Sequence, residues 1–518
     1  MKRKVSVCAG VMAAMVAMSA GAEEAKGGDS APVVSAGGDG GPAVGTEVAP
    51  VVEGPGVERA MVAPPLVEST TAGVVSAGTA GDAPVAVAKT EAAEQDVHVP
   101  FNLSILPGLS TSGFARQNLV HDVSIGLIAT HAKRVTALGL SLGGNWVTHG
   151  ASGVLATVGA NVSRGPVDGV LLSVGGNVVT ADAEGVQASV GANIVRGSMG
   201  GGQLTVGANV ATGAVEGTQL SVGANIAGGD VNGGQLTVGG NLASGALRGL
   251  QMSVGGNLAA GTLNGVQMAV GANVARGTAR GLQMAAGVNV ASELTGMQVS
   301  SGVSYASKLS GAQLSLINVG GDVDGAQVGL VNVAGRVDGA QVGLLNVAGQ
   351  TEGESVGLLS FVGNGQAHVQ VWASDVSLTN IGLKLGGRHL YTLLTVGLTP
   401  PMDGDRRRYT VGAGLGGHIP VGRFYVDVDV MGSSLHANRL FDFDEDTNHV
   451  LGQFRVMAGW QLSRRFAVFG GVSANTLVTW NGSDTWKELG IGPEWKEVSD
   501  SGRTTVRTWP GLLAGVQI

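Results

Sequence analysis

Cysteine, aromatic side chains and charge are all scarce in this chain, and each scarcity excludes something. The one cysteine among 518 residues is Cys8. It falls in the first, targeting-like segment, so a chain that has lost that segment has no disulfide, thiol chemistry or cysteine-ligated zinc. Aromatics make up 4% while glycines number 89, which argues against a bulky close-packed core over most of the length. Only Trp146 and Tyr305 lie between Ala115 and Ser360, against sixteen aromatics from Phe361 to Ile518. Two kinds of structure therefore share one polypeptide. Acidic residues outnumber basic ones by 38 to 30, an imbalance that argues against a nucleic-acid partner. The nine histidines are scattered, with none between His149 and His368 and no two at a metal-ligand spacing.

The first segment reads as a signal peptide, residues 1–22. Lys2, Arg3 and Lys4 precede an apolar run from Val5 to Met18, and Ala20-Gly21-Ala22 supplies small residues for cleavage. The run is shorter than the ~20 apolar residues a membrane helix needs. Residues 23–97 hold seven of the 15 prolines and 12 acidic against 3 basic residues, without sustained period. Such a composition buries too little apolar surface to order itself, so a disordered acidic spacer is expected. Residues 98–140 look like degenerate repeats or a cap.

What the chain does have is a repeat, over residues 141–360. Asn recurs in steps of 16 at Asn145, Asn161, Asn177, Asn193, Asn209, Asn225, Asn241, Asn257, Asn273 and Asn289, then in steps of 14 at Asn318, Asn332 and Asn346. Gln187, Gln203, Gln219, Gln235, Gln251, Gln267 and Gln283 form a second series six residues ahead of Asn. From Gln203 to Ala211 the alternation has period two, hence strand. Leu204, Val206, Ala208 and Val210 take one face; Gln203, Thr205, Gly207, Asn209 and Ala211 take the other. A β-solenoid would stack each unit as one coil, with Leu204, Val206 and Val215 types in a thin core and Asn and Gln in side-chain ladders. An antiparallel meander, closing into one large barrel with the C-terminal strands, is the alternative. A meander predicts a period of 32 and aromatic girdles, and the repeats show neither. The change of step from 16 to 14 shifts the parity of Asn relative to Gln, for which the sequence offers no account beyond an altered coil.

Residues 361–518 alternate differently. Phe424, Val426, Val428 and Val430 interleave with Tyr425, Asp427 and Asp429. Phe454, Val456, Ala458 and Trp460 interleave with Arg455, Met457 and Gly459. Further segments at 366–373, 378–387, 388–398, 408–421, 465–480 and 509–518 give about eight strands with one apolar face. This pattern predicts an outer-membrane-type antiparallel β-barrel, with Trp372, Tyr409, Tyr425, Trp460 and Trp480 as interface anchors. A soluble β-sandwich would satisfy the same alternation. The fold class expected is thus all-β, a repeat β-solenoid followed by a small antiparallel barrel.

The units GAQVGLVNVAG (325–335) and GAQVGLLNVAG (339–349), with SVGLLSFVGNG (355–365) and SLTNIGLKLGG (377–387), resemble a bacterial outer-membrane surface-repeat family with tandem G-x-Q-φ-G-φ-φ-N units. The resemblance covers residues 140–400 and implies outer-membrane or cell-surface placement. The family has no established activity, so no functional residue carries over, and the 16-residue units depart from its shorter repeat.

Chemistry is sparse. Asp442, Asp444 and Asp446 have the alternate spacing of a calcium loop but lack its turn glycine and closing glutamate, so a solvated loop is the simpler reading. Arg406, Arg407 and Arg408 could meet anionic lipid or merely form a solvated turn. Asp427 and Asp429 with Arg455 could pair inside the barrel and fill it, since about eight strands leave no open channel. No nucleophile cluster or phosphate loop stands out. The expectation is a non-enzymatic outer-membrane or cell-surface protein without cofactor, touching outer-membrane lipid, with a structural or adhesive role. A porin-like barrel built from repeats and C-terminal strands together is the rival.

Overall fold

The computed structural model describes residues 95–113, 118–401, 407–437, 439–440, 448–480, 489–490 and 492–518. The expected signal peptide, most of the spacer, and Asp442, Asp444 and Asp446 lie outside the described residues. The description concerns the compact unit Lys89–Ile518. Its described residues form strands and turns without a helix.

The repeats wind into a parallel β-solenoid of about 15 turns. One coil is the strand Met199–Thr205 and the strand Ala208–Ala211. Each pairs in parallel with its own copy 16 residues on, Gln203 opposite Gln219 and Asn209 opposite Asn225. At the ~4.8 Å spacing of paired strands the array is roughly 70 Å long. Parallel pairing between neighbouring units rules out the single large antiparallel barrel.

The interior reverses the expected core. Val215 is fully buried as anticipated, but Leu204 and Val206 are 53% and 55% exposed, whereas Gln203 and Asn209 are buried. Strand parity explains the reversal. Val215 and Gln219 stand four residues apart on one strand, so they must share a face, and Leu220 must take the other. Burying two amides per coil is tolerable because the coils above and below supply matching amides. Asn209 Nδ2 donates to Asn225 Oδ1 at 2.9 Å and to the Leu220 carbonyl at 2.7 Å. Gln219 Nε2 donates the opposite way along the axis, to Gln203 Oε1 at 2.7 Å. The two columns therefore run with opposed amide dipoles. All twelve ladder residues expected from the sequence, from Asn193 to Asn273 and from Gln203 to Gln283, are buried in these columns.

Between Val215 and Gln219 the strand kinks at Gly217, one of a column of glycines at positive φ. At Gly233 (φ 137°) an added Cβ would lie 2.0 Å from the Gly217 carbonyl oxygen, so the column is closed to any side chain.

The shortening from 16 to 14 residues proceeds in two steps, each at a corner. Ala275 pairs with Ala291 but Thr278 pairs with Glu293, so one residue is lost between the Ala and Leu columns. The second is lost between Gln and Asn, where Leu314 pairs with Val299 and Ile317 with Val303. The first loss is taken up by a bulge between Ala275 and Thr278 and the second between strands, so the buried columns stay in register.

At the start of the array, Val97–Leu106 pairs in parallel with Leu119–Gly126, and that strand with Ala129–Ser141. His121 is buried there, with neither ring nitrogen hydrogen-bonded.

Residues Gln366 to Gln517 form a closed antiparallel barrel of eight strands, Gln366–Ser374, Thr379–Gly386, Leu390–Thr399, Arg408–Val421, Phe424–Ala437, Asn448–Ser463, Phe466–Trp480 and Thr504–Gln517. Closure is the pairing of the first strand with the last, Gln370 with Gln517 through Ser374 with Leu513. Three strands run further than their alternation suggested: 424–437 continues seven residues past Val430, while 448–463 and 504–517 begin five residues early. The connections alternate in length. Those at 387–389, 422–423 and 464–465 are tight, and those at 375–378, 400–407, 438–447 and 481–503 lie at the other end. The solenoid enters at the tight-turn end, through Gly363, Asn364 and Gly365. Asn364 clips this join by bonding both the N–H and the carbonyl of Thr351 at 2.8 Å. The last coil then seats on the barrel. Glu354 accepts from the backbone N–H of His389 and Leu390 and meets the His389 ring at 2.9 Å, while the Thr392 hydroxyl bonds the Gly357 carbonyl.

Two outcomes test this packing. Gln235→Leu strips Gln219 Oε1 of its donor and leaves Gln251 Nε2 only the Leu258 carbonyl, and the new buried orphan costs roughly 1–3 kcal/mol. Gln187→Leu only moves one orphan, because Gln187 Nε2 already faces Leu171 without a partner and Gln203 Nε2 would replace it. Amide hydrogen exchange of the flanking coils should rise sharply for the first and little for the second. At the start of the array, burial and the neighbouring His131 push the His121 pKa down. Its neutral form is what the fold holds, so stability is complete above the ordinary value of about 6.5 and falls as pH drops below it. Protection factors over residues 119–135, with the intrinsic pH dependence of exchange divided out, should fall between about pH 7.5 and 5.5, and His121→Leu should flatten that profile.

Candidate functional site

The barrel is polar inside and apolar outside, which follows from strand alternation with the reverse sense to a soluble barrel. Val430, Val472, Leu415 and Leu512 point outward and are more than half exposed, while Lys384, Asp427, Asp429, Arg455 and Arg507 are buried. Exposed aromatics mark both ends. Phe424 and Trp460 stack at 5.8 Å near the tight turns, and Trp480 and Trp495 lie towards the long connections. Trp372 and Tyr425, expected among the interface anchors, instead point inward. Their parity is that of the polar residues. Trp372 lies beneath the Arg455 guanidinium at 5.2 Å, and Tyr425 lies 5.6 Å from Lys384 Nζ.

The four charges at the centre of the lumen form two ion pairs. Arg455 holds Asp429 by two bonds of 2.6 and 2.7 Å, and Tyr391 donates to the same carboxylate at 2.9 Å. Asp427 does not share Arg455, as the sequence suggested it could. It binds Lys384 Nζ and His418 Nδ1, both at 2.6 Å. Lys384 also sits 4.0 Å from the face of Tyr391. Two cations facing two carboxylates across the lumen make a neutral plug. A second polar group closes the long-connection end. Asp375 accepts from Trp509 Nε1 at 2.7 Å and Asn475 Nδ2 at 3.2 Å, and Arg507 binds Glu494 at 2.6 Å. Arg408 turns inward to the Val376 carbonyl at 3.0 Å rather than out to a solvated turn. Lys384 and His418 escaped sequence reasoning. Lys384 alternates with Gly382 and Gly386 in NIGLKLGG, which placed it on the small face, but its partner lies 43 residues on and no local spacing shows that.

No group of His, Cys, Asp and Glu among the described residues could hold a metal ion. The paired charges neutralise one another and fill the lumen.

The solenoid presents a different surface. In every coil from Leu155 to Val362, the arc from the Gln column to the Ala column (203–211 and its equivalents) contains no charged residue. Outward on that arc stand two apolar columns, one through Leu204, Leu220 and Met252, the other through Val206, Val222 and Val254. The charged side chains sit on the opposite arc, among them Glu216, Asp230, Arg248, Lys308 and Asp322. A shallow groove of about 1260 Å³ runs along the uncharged edge from Met252 to Leu344.

Comparison with family models, with curated proteins and with solved structures gives no match.

The buried pair supplies a test of the plug. Removing one partner strands a buried charge and costs about 3–5 kcal/mol, whereas replacing both by apolar residues costs far less. Urea unfolding of the barrel should therefore show Arg455→Met strongly destabilised, with Asp429→Leu added to it recovering most of the loss.

Proposed function

We propose that this chain is a non-enzymatic outer-membrane protein in which the barrel is a plugged membrane anchor and the solenoid is a structural array fixed to it. The observation that carries the reading is the barrel's polarity: apolar outward positions, aromatics at both ends and charges paired within, as in transmembrane barrels. A soluble sandwich would leave Val430, Leu415 and Val472 in water. The outer-membrane placement implied by the repeat resemblance agrees with it. Eight strands filled by paired charges leave no conduit, so transport is disfavoured.

Between a structural and an adhesive role, the connections favour the structural one. Outer-membrane barrels keep short turns on the periplasmic side and long loops outside. The solenoid joins at the short-turn rim, which supports a periplasmic array. Single cysteines read by a membrane-impermeant maleimide test this orientation. Ser501→Cys, in the longest connection, should label on intact cells, and Asn264→Cys in the solenoid only after the outer membrane is permeabilised. Labelling of Asn264→Cys but not Ser501→Cys on intact cells would invert the assignment and restore a surface role.

A further inference from the structure

We propose that the uncharged edge of the solenoid is a lipid-docking surface, lying on the acyl chains of the membrane leaflet at the short-turn rim of the barrel. The inference rests on the reading of the barrel as a membrane anchor and adds to it that the array lies along the bilayer.

Three observations carry it. First, charge is segregated over the whole array. One arc has none from Leu155 to Val362, and the other carries all the coils' acids and bases. That is the division of an interfacial amphipathic element, here made from stacked coils in place of a helix. Second, the edge offers hydrocarbon and nothing directional. Val190, Val206, Val222, Val238, Val254 and Val270 are each more than half exposed, one per coil. Several of the hydroxyls beside them are engaged with neighbouring coils, and Ser253 Oγ is buried. Ser189 meets Thr205 at 3.1 Å, Thr205 also donates to the Gly191 carbonyl, and Ser221 meets Thr237 at 2.9 Å. A protein partner ordinarily finds a polar rim and hydrogen-bonding groups around an apolar centre. An apolar strip along the array exceeds what a monomer leaves in water. Third, the edge runs onto the barrel's own exterior. Leu344 and Leu358 of the last coils share a depression of about 640 Å³ with Leu415 and Val430 of the barrel wall. Leu385 and Thr392, outward-pointing barrel residues, are already covered there. A barrel whose wall meets hydrocarbon thus carries the uncharged edge to the same hydrocarbon.

The full-length chain, in a Cys8→Ser background, is reconstituted into phosphatidylcholine vesicles containing doxyl-labelled phosphatidylcholine. Single cysteines at Val254 and Val270 on the edge, Asn264 on the charged arc and Val472 on the barrel wall carry an environment-sensitive fluorophore. Spin-labelled lipid should quench Val254→Cys and Val270→Cys as strongly as Val472→Cys and leave Asn264→Cys bright. Quenching at Val472→Cys with the edge positions as bright as Asn264→Cys overturns lipid docking and spares the anchor. An unquenched Val472→Cys overturns the anchor reading and the docking with it. Edge fluorophores that are blue-shifted yet unquenched, with disulfide cross-linking between Val254→Cys chains, would assign the edge to a second copy and likewise overturn lipid docking.

Discussion

The hydrogen bond from one coil's amide to the next governs the solenoid. A buried amide in isolation is costly, and here each finds its partner only if the adjacent coil places the same residue at the same point. This makes register absolute. A residue inserted within a strand would rotate every later side chain to the other face and orphan two columns at once. The chain accordingly loses residues only at corners, once after Ala275 and once between Gln and Asn. At three of the four column ends a hydroxyl stands in. Thr130 donates to Asn145, Ser360 accepts from Asn346, and Ser355 donates to Gln341. Ser304 interrupts the Asn column in mid-array and bonds Ser315 at 2.5 Å instead.

The same constraint decides the surface. With Gln and Asn inside, parity sends Leu204 and Val206 out, so the solenoid is apolar where an ordinary protein is polar. The barrel reaches the same inversion by another route, pairing Lys384 with Asp427 and Arg455 with Asp429 and turning Val430 and Leu415 outward. The two parts are alike in turning most of their polar groups to partners within. Their shared consequence is an apolar face on each, which ties the array to the barrel more closely than the three-residue link alone would suggest.

Much of this was legible in the sequence. Period and parity placed the amide columns, the eight barrel strands and the inward set Asp427, Asp429 and Arg455. The orientation of the coil was misread because hydrophobicity was weighed ahead of parity. Leu204 and Val206 are larger than Ala211 and were assigned inward, although Val215 and Gln219 on one strand already forbade it. The positive φ of Gly217 lets the strand bend while keeping Val215 and Gln219 on one side, which the residue pattern alone does not show. Trp372 and Tyr425 were assigned outward because aromatics commonly form girdles, yet they alternate with the apolar residues. The pairing of Lys384 with Asp427 had no local signal, since it depends on how strands far apart in sequence meet across the lumen.

A stack of coils has two ends, and each exposes an unpaired strand edge that invites further pairing. At the first end the outermost strand is Val97–Leu106, whose tip folds back onto Leu109–Ser110, with His121 buried on the next strand inward. At the second end the barrel closes the stack. Its 387–389 turn gives Glu354 two backbone donors, and Thr392 bonds the Gly357 carbonyl on the free edge of the last strand. Because coil stability is largely a sum of neighbour contacts, closing the final edge protects every coil behind it. The barrel is therefore both the support of the array and its terminal cap. An array severed from it would lose its placement and, at the same stroke, expose a sheet edge flanked by Leu344 and Leu358.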